Sequence, residues 1–109
     1  MTTKAGLKET QIALLKQYNN CHVVNLSKVG YDIYIGRGSK WGNPFKIGVD
    51  GTRSEVIEKY RKWLYTQPEL FRSIPELCGK RLGCYCYPKA CHGDVLAELA
   101  NCSMEMDLL

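Results

Sequence analysis

The sequence predicts a single small α/β domain: a sheet of about three or more strands with flanking helices, in the order α-β-β-α-β-α. Three observations predict this class. The chain has 109 residues, near the common size of one domain. Its composition, 45% hydrophobic and 24% charged, is typical of a folded globular protein. Segments rich in β-branched and aromatic residues alternate with segments of helical periodicity. We therefore expect one domain over residues 1–109.

The first half of the chain supplies one helix and two strands. Residues 7–19 form an amphipathic pattern and predict a helix. Residues 22–26 and 31–35 are rich in β-branched and aromatic side chains and predict strands. The segment between them, 27–30, ends in glycine and is a plausible turn.

The next helix has the strongest signals. Thr52 and Glu55 match a capping box, in which each side chain satisfies a free backbone N–H of the other residue. Apolar residues then recur on one face from Val56 to Leu64, and Pro68 should end the helix.

A helical turn, a strand and a helix complete the chain. Residues 69–77 predict a short helical turn interrupted by proline, and residues 80–86 a third strand. Asp94 is the simplest N-cap for the last helix. Alternation along the third strand places three residues on one face: Leu82, Cys84 and Cys86.

Compartment and thiol state follow from two absences. No apolar run approaches the ~20 residues needed to cross a bilayer, and the first residues lack a secretory apolar region. We therefore expect a cytoplasmic protein with no membrane partner. In that setting the six cysteines indicate thiols, a metal site or redox chemistry rather than structural disulfides.

The net charge of +4 is unevenly distributed. Windows 33–49 and 77–93 contain no acidic residue and hold six basic ones. If these windows meet in space, their potential favours an anionic ligand. The alternative is a chance scatter of solvated lysines.

The first basic window contains GRGSKWGNPF, a loop by composition. Its glycines let the backbone approach a ligand, Arg37 offers a planar fork for phosphate, and Trp41 offers a flat face. In the alternative interpretation, Trp41, Pro44 and Phe45 fill the core beneath a tight turn. The candidate ligand-binding residues of this segment are Gly36, Arg37, Gly38, Ser39, Lys40, Trp41 and Asn43.

The second basic window contains GCYCYPKACHGD. One interpretation is a zinc site, because thiolate and imidazole suit tetrahedral zinc, although the spacing differs from the usual separated pairs. Another is a catalytic thiolate at Cys91 with His92 as acid or base, just before a helix. The same helix start, with Gly93 and Asp94, could instead hold a ligand phosphate. In the blandest interpretation the cysteines are buried apolar residues. The candidate metal ligands are Cys84, Cys86, Cys91 and His92.

The runs VVNLSKVGYDIYIGRGSKWGNPFKIG and KRLGCYCYPKACHGDVLAELA together resemble a family of small domains from bacteria, phages and large DNA viruses, itself a domain of unknown function. The resemblance covers about residues 23–100 and includes both signatures. It implies no activity, but a nucleotide-like ligand fits the genes that accompany the family. The resemblance implies a shared site built from Arg37, Ser39, Trp41, Asn43, Cys84, Cys86, Cys91 and His92.

We predict that the second and third strands are neighbours and that their C-terminal ends form one pocket from both segments. The expected ligand is an anionic, phosphate-bearing small molecule, in particular a nucleotide or its derivative. The residues do not separate an enzyme from a binding or sequestering protein, and they leave the oligomeric state open. The alternatives are a zinc-stabilised nucleic-acid-binding module and, with less support, a thiol redox protein.

Overall fold

Three short parallel strands form the sheet of this protein. The structure, a computed structural model, describes residues 20–108, with side chains described as far as Asn101. The strands are β1 (His22–Asn25), β2 (Ile33–Tyr34) and β3 (Arg81–Cys84). The sheet order is β1-β3-β2, so β3 is central. The small α/β class expected from the sequence is confirmed, while the predicted helix over 7–19 lies outside the described residues.

All three strands are shorter than the sequence predicts. Strand β2 shows the reason, because the predicted strand extends beyond it on both sides, to Tyr31 and to Ile35. On its N-terminal side, the Asp32 N–H still donates to the Arg81 carbonyl at 2.9 Å, but the Arg81 N–H donates to the Asp32 carboxylate at 2.8 Å and not to a backbone carbonyl of β2. On its C-terminal side, the chain turns at Gly36, whose carbonyl accepts the Ser39 N–H.

Helix α1 (Arg53–Tyr65) forms as its local sequence predicts. Thr52 is the N-cap, and both hydrogen bonds of the capping box with Glu55 are present. The helix ends before Pro68, which begins the short helix α2 (Pro68–Arg72). A 3-10 turn, Ile74–Leu77, follows.

Helix α3 (His92–Leu108) begins earlier than predicted. The expectation that Asp94 is its N-cap is wrong, because His92 is already helical and Cys91 precedes the helix. Asp94 lies in the first turn, where its carboxylate accepts the Cys91 N–H at 3.1 Å. The carboxylate therefore reaches back to the cap residue, as the third helical residue does in a capping box.

The core lies where α3 contacts β1, β3 and α1. Fully buried side chains come from each layer: Ile35 after β2, Leu82 in β3, Tyr60 in α1 and Leu96 in α3. No helix of residues 20–108 has the length and apolarity needed to cross a membrane.

Candidate ligand cavity and cysteine cluster

The two motif segments meet at the C-terminal ends of neighbouring strands. Strands β2 and β3 pair in parallel, with Tyr34 opposite Gly83. The pairing continues one residue further, because the Ile35 N–H donates to the Gly83 carbonyl at 3.1 Å. The glycine loop, residues 36–45, follows β2, and the cysteine turn, residues 85–91, follows β3. Both therefore begin at the same edge of the sheet. This is the neighbourhood that the sequence predicts.

A cavity of about 440 Å³ opens between these segments and the first turn of α1. Its volume is in the range that encloses small organic ligands, about 300–1,000 Å³. Both segments and the helix contribute to its wall. The lining residues include Tyr34, Arg37, Lys46, Arg53, Tyr85 and the three cysteines 84, 86 and 91.

The charge on the cavity wall is positive. Arg37, Lys46 and Arg53 line it, and no aspartate or glutamate is found among the described residues that do so. Within residues 20–108, Arg37 is exposed and its guanidinium has no hydrogen-bond or ion-pair partner. Arg53 donates to the Ala90 carbonyl at 2.9 Å and so ties α1 to the cysteine turn. Three cations around one concave surface attract an anion.

Exposed aromatic rings stand beside these cations. The side chain of Tyr34 is 37% exposed and that of Tyr85 is 68% exposed, and both residues line the cavity. A flat ligand ring can contact the face of either tyrosine ring.

Three cysteine sulfurs cluster on the cavity wall. The sulfurs of Cys84, Cys86 and Cys91 all lie within 4.8 Å of one another, and Cys84 and Cys91 are 3.4 Å apart. Cys84 and Cys91 are buried, whereas Cys86 is partly exposed. All are free thiols.

The close pair of sulfurs cannot readily carry two negative charges. The hydrogen bond between the two sulfurs, supported by the backbone N–H groups of Cys86 and Tyr87, lowers the pKa of the Cys84 thiol to about 6. The same hydrogen bond raises the pKa of the Cys91 thiol, and burial adds to that rise. In the absence of a metal ion, the pair therefore shares one proton and one charge near neutral pH.

The loops that carry the cysteines are held in place by side chains from elsewhere. Asn25, at the end of β1, donates to the carbonyls of Tyr85 (3.3 Å) and Tyr87 (3.0 Å). On the other side of the cluster, the Gly93 N–H donates to the Cys91 sulfur at 3.3 Å. All three strand ends thus contribute to this site, including β1, for which the sequence predicts no part.

His92 has a positioning role in this arrangement. Its imidazole is buried, and Nε2 donates to the Ile35 carbonyl at 2.7 Å. The ring also makes an edge contact with Tyr60, and burial lowers the pKa of the imidazole. With Nε2 committed to a carbonyl, it is not available as a metal ligand or as a general acid or base. The ring nitrogens of His92 are also not among the ligand atoms that lie within 4.8 Å of one another, so the structure does not form the predicted four-residue metal site, while the catalytic role of His92 stays a prediction.

Trp41 is a correction to the predicted ligand site. Its side chain is only 2% exposed and belongs to the hydrophobic core, while its carbonyl accepts the Tyr60 hydroxyl at 2.6 Å. A buried indole offers no face to a ligand, so the core-filling alternative is correct for Trp41, whereas Pro44 is exposed and Phe45 lines the cavity. The aromatic faces on the cavity belong instead to Tyr34 and Tyr85.

Two other polar residues of the glycine loop shape the loop itself. The Asn43 amide oxygen accepts the Phe45 N–H at 2.9 Å, and its nitrogen donates to the Val56 carbonyl at 3.2 Å. Asn43 lines the cavity, but its amide is used to hold the loop against α1. The Ser39 hydroxyl donates to the Gly36 carbonyl at 2.7 Å and closes the turn.

The remaining predicted ligand residues lie away from the cavity wall. Lys40 forms an ion pair with Glu76 at 3.2 Å and lines a separate depression beside Trp63. Gly38 has a positive φ of 89°, which suits glycine and serves the turn. Gly93 and Asp94 cap α3 and are not among the lining residues. Of the predicted ligand residues, Gly36, Arg37 and Asn43 line the cavity.

The sequence does not mark two of the three cations, Lys46 and Arg53, as ligand groups. Arg53 follows the N-cap Thr52, so it is the first residue of the best-predicted helix. Lys46 was already counted in the first basic window. Both residues lie next to recognised signals, but only the tertiary arrangement shows that they face the cysteine turn.

Fold and site together define a class: a small α/β domain with a parallel sheet, a basic cavity at the strand ends and a cysteine cluster in its wall. A family profile described as a domain of unknown function, DUF4326, matches residues 18–102. This range includes the sheet, the cavity and the cluster. The chain belongs to the DUF4326 family.

Two curated relatives come from viruses, in agreement with the resemblance found in the sequence. The chain is 41% identical over 86 residues to an uncharacterized 12.4 kDa protein of the nrdA-td intergenic region of Enterobacteria phage T4, covering 74% of this chain and 78% of that protein. It is also 41% identical over 86 residues to uncharacterized protein R718 of Acanthamoeba polyphaga mimivirus, and this match covers 62% of this chain and 65% of that protein. No solved structure matches the chain significantly.

Proposed function

We propose that the cavity binds an anionic, phosphate-bearing small molecule, in particular a nucleotide or a nucleotide derivative. The observation that carries this proposal is the convergence of Arg37, Lys46 and Arg53 on one cavity whose described lining holds no carboxylate. Guanidinium groups bind phosphate with paired hydrogen bonds, and an ammonium adds a point charge.

The aromatic wall supports a ligand that carries a ring as well as an anion. Tyr34 and Tyr85 are exposed on the same cavity as the cations. In this proposal a base lies against a tyrosine, and the phosphate lies at Arg37. The tyrosines take the stacking role that the sequence had given to Trp41.

The shape of the site favours a small molecule over a nucleic-acid strand. Arg37, Lys46 and Arg53 line one cavity of about 440 Å³. Backbone recognition of a nucleic acid uses cations that follow successive phosphates. An oligonucleotide is therefore the comparison ligand in the test.

Calorimetric titration of the full chain tests the proposal with three kinds of ligand: nucleoside 5′-monophosphates, the matching nucleosides and inorganic phosphate. We expect at least one monophosphate to bind more tightly than its nucleoside and than phosphate, because only it occupies both parts of the cavity. A short single-stranded oligonucleotide that binds more tightly than every monophosphate would favour the nucleic-acid alternative. Absence of binding by all monophosphates would overturn the proposal.

Two variants in one loop identify the anion contact. Arg37→Ala should weaken binding of the monophosphate more than tenfold, because a partner-free guanidinium on the cavity wall is lost. Lys40→Ala is the matched control: it removes an equal charge from the same loop, but its side chain pairs with Glu76 outside the cavity. Equal effects of the two substitutions would show that only general charge matters.

A further inference from the structure

The three cavity-facing sulfurs have the spacing of a metal site. A tetrahedral zinc ion bound by thiolates at about 2.3 Å holds its sulfurs roughly 3.8 Å apart. The distance of 3.4 Å between Cys84 and Cys91, with all three sulfurs inside 4.8 Å, brackets that value. A small adjustment of side-chain rotamers is enough to give each sulfur an equal distance to one ion.

The surroundings of the sulfurs fit a charged centre. The Gly93 N–H donates to the Cys91 sulfur, and a donor of this kind stabilises a metal-bound thiolate. Asn25 fixes the carbonyls of Tyr85 and Tyr87 on one side, while Arg53 fixes the Ala90 carbonyl on the other. These contacts restrain the backbone on both sides of the cluster before any ion binds.

We propose that Cys84, Cys86 and Cys91 together bind one zinc ion. Soft thiolate ligands select zinc over magnesium, calcium or manganese. His92 is not included in the ligand set, because neither of its ring nitrogens belongs to the group of ligand atoms that lie within 4.8 Å of one another. The ligand set is therefore three sulfurs from one stretch of chain, and it differs from the three-cysteine and histidine set expected from the sequence.

Three protein ligands leave a tetrahedral ion with one further coordination position. All three cysteines line the cavity, so that position faces the space that the ligand would occupy. Zinc sites with three protein ligands and one exchangeable position are the catalytic type. Only the identity of the group that occupies the fourth coordination position rests on the proposed function.

The charges of the site are compatible with such a centre. Three thiolates and a divalent ion leave one net negative charge, and Arg37, Lys46 and Arg53 on the same wall exceed it. The cavity therefore stays positive overall with zinc bound, and it still attracts an anion.

Metal analysis and X-ray absorption of the full chain, purified under reducing conditions, test the ligand set. We expect about one zinc per chain and a zinc edge fitted by three sulfur neighbours and one light atom without imidazole scattering. An imidazole contribution, or fewer than three sulfurs, would overturn the three-cysteine assignment. Protein that stays metal-free after incubation with zinc, with all its thiols reduced, would overturn the proposal itself.

Two cysteine substitutions separate binding from folding. Cys86→Ser changes the most exposed sulfur of the cluster, which is outside the close Cys84–Cys91 pair, and should weaken zinc binding more than tenfold. Cys78→Ser is the control: its thiol donates to the Ala100 carbonyl, which a serine hydroxyl can also do, and zinc content should not change. If Cys86→Ser fails to fold, the sulfur count on the unaltered chain still decides.

A disulfide between Cys84 and Cys91 is the competing outcome. Their separation of 3.4 Å permits a bond after a small movement, but the bond would consume two of the three ligands. Zinc that protects all three thiols from alkylation supports the metal site. Two observations together would contradict it. The freshly purified protein would contain a Cys84–Cys91 disulfide and no zinc, and the same disulfide would form again after it had been reduced and zinc had been added.

The proposed metal site and the proposed anion site can be contradicted independently of each other. Titration with the monophosphates is carried out on both zinc-loaded and chelator-treated protein. Zinc bound without any monophosphate binding would leave the metal site and remove the proposed function. Monophosphate binding that depends on Arg37, in protein that never takes up zinc, would do the reverse.

Discussion

Single polar residues of the glycine loop and the cysteine turn divide into those that face the cavity and those that hold the backbone around it. Arg37 has no partner in the described residues and faces the cavity, whereas Asn43, Ser39 and His92 all bind backbone carbonyls. The sequence marks all four as ligand groups because residue type alone does not show how a side chain is used. A buried carbonyl without a partner costs about 1–3 kcal/mol, so nearby polar groups are first used to satisfy it.

The ion pair of Asp32 and Arg81 should make stability depend on pH in acid. Hydrogen bonds from the Arg81 guanidinium, and then from its backbone N–H, lower the pKa of the Asp32 carboxyl from 3.8 to about 2. A carboxyl with a lowered pKa in the folded state adds stability above its unfolded pKa, and this stability is lost as the pH falls towards the folded value.

Urea titrations of the unaltered chain and of Asp32→Asn measure this effect. The unaltered chain should have the higher free energy of unfolding at pH 6, and the two values should converge between about pH 4 and pH 2. A difference that stays constant over that interval would contradict the assigned role of the carboxylate.

At the scale of elements, the quality of a sequence prediction depends on how local its causes are. The bounds of α1 follow from Thr52, Glu55 and Pro68, all of which act within one or two turns. The strands are shorter than predicted because their ends depend on contacts far along the chain, such as that of Asp32 with Arg81. Residue types cannot supply such contacts.

The capping box of α1 should contribute to both stability and ligand binding. Thr52→Ala removes the hydroxyl that accepts the Glu55 N–H, and we expect a loss of about 1 kcal/mol in the free energy of unfolding. Because Arg53 is the first residue of the helix, fraying there should also weaken binding of the monophosphate.

A threonine at the other end of α1 is the control for this substitution. The Thr66 hydroxyl donates to the Trp63 carbonyl, which also accepts the backbone N–H of Thr66. Thr66→Ala therefore leaves that carbonyl satisfied and should cost less than Thr52→Ala in a urea titration. The opposite order would show that the N-terminal cap is not important.

At the scale of the whole molecule, helix α3 packs closely against the sheet at Gly93, where a side chain would meet sheet residues. A Cβ atom on Gly93 would lie 2.6 Å from Ile35 Cδ1 and 2.8 Å from Val23 Cγ2. These atoms come from the two outer parts of the sheet. The sequence does not reveal this contact, because a glycine beside a helix start looks like an ordinary loop residue.

The sign of one stability change tests this packing. In a helix alone, replacing glycine by alanine stabilises by up to about 1 kcal/mol. In this protein Gly93→Ala should instead lower the free energy of unfolding by about 1–3 kcal/mol, because the buried side chains of Ile35 and Val23, or the helix itself, must move to make room for the methyl group. A urea titration that gives a stabilised variant would show that the helix approaches the sheet less closely.

At this scale the parallel pairing of β2 with β3, and hence the meeting of the two motif segments, could be predicted from the sequence. The general rule that open α/β sheets carry their sites at the strand C-termini was sufficient. The rule does not say which side chains face inward, and so it did not distinguish Trp41 in the core from Tyr34 on the wall.

The central position of β3 has a consequence for how this protein is made. In the described part of the chain, β1 and β2 are not paired with each other. Each pairs only with β3, which is synthesised after both of them. Among the described strands, a nascent chain that has not yet passed Cys84 therefore has no strand pairing, and β1 and β2 keep open edges that attract other chains. Because β3 lies between them and Cys84 lines the cavity, an N-terminal fragment that stops before β3 should lack both this sheet and the cavity.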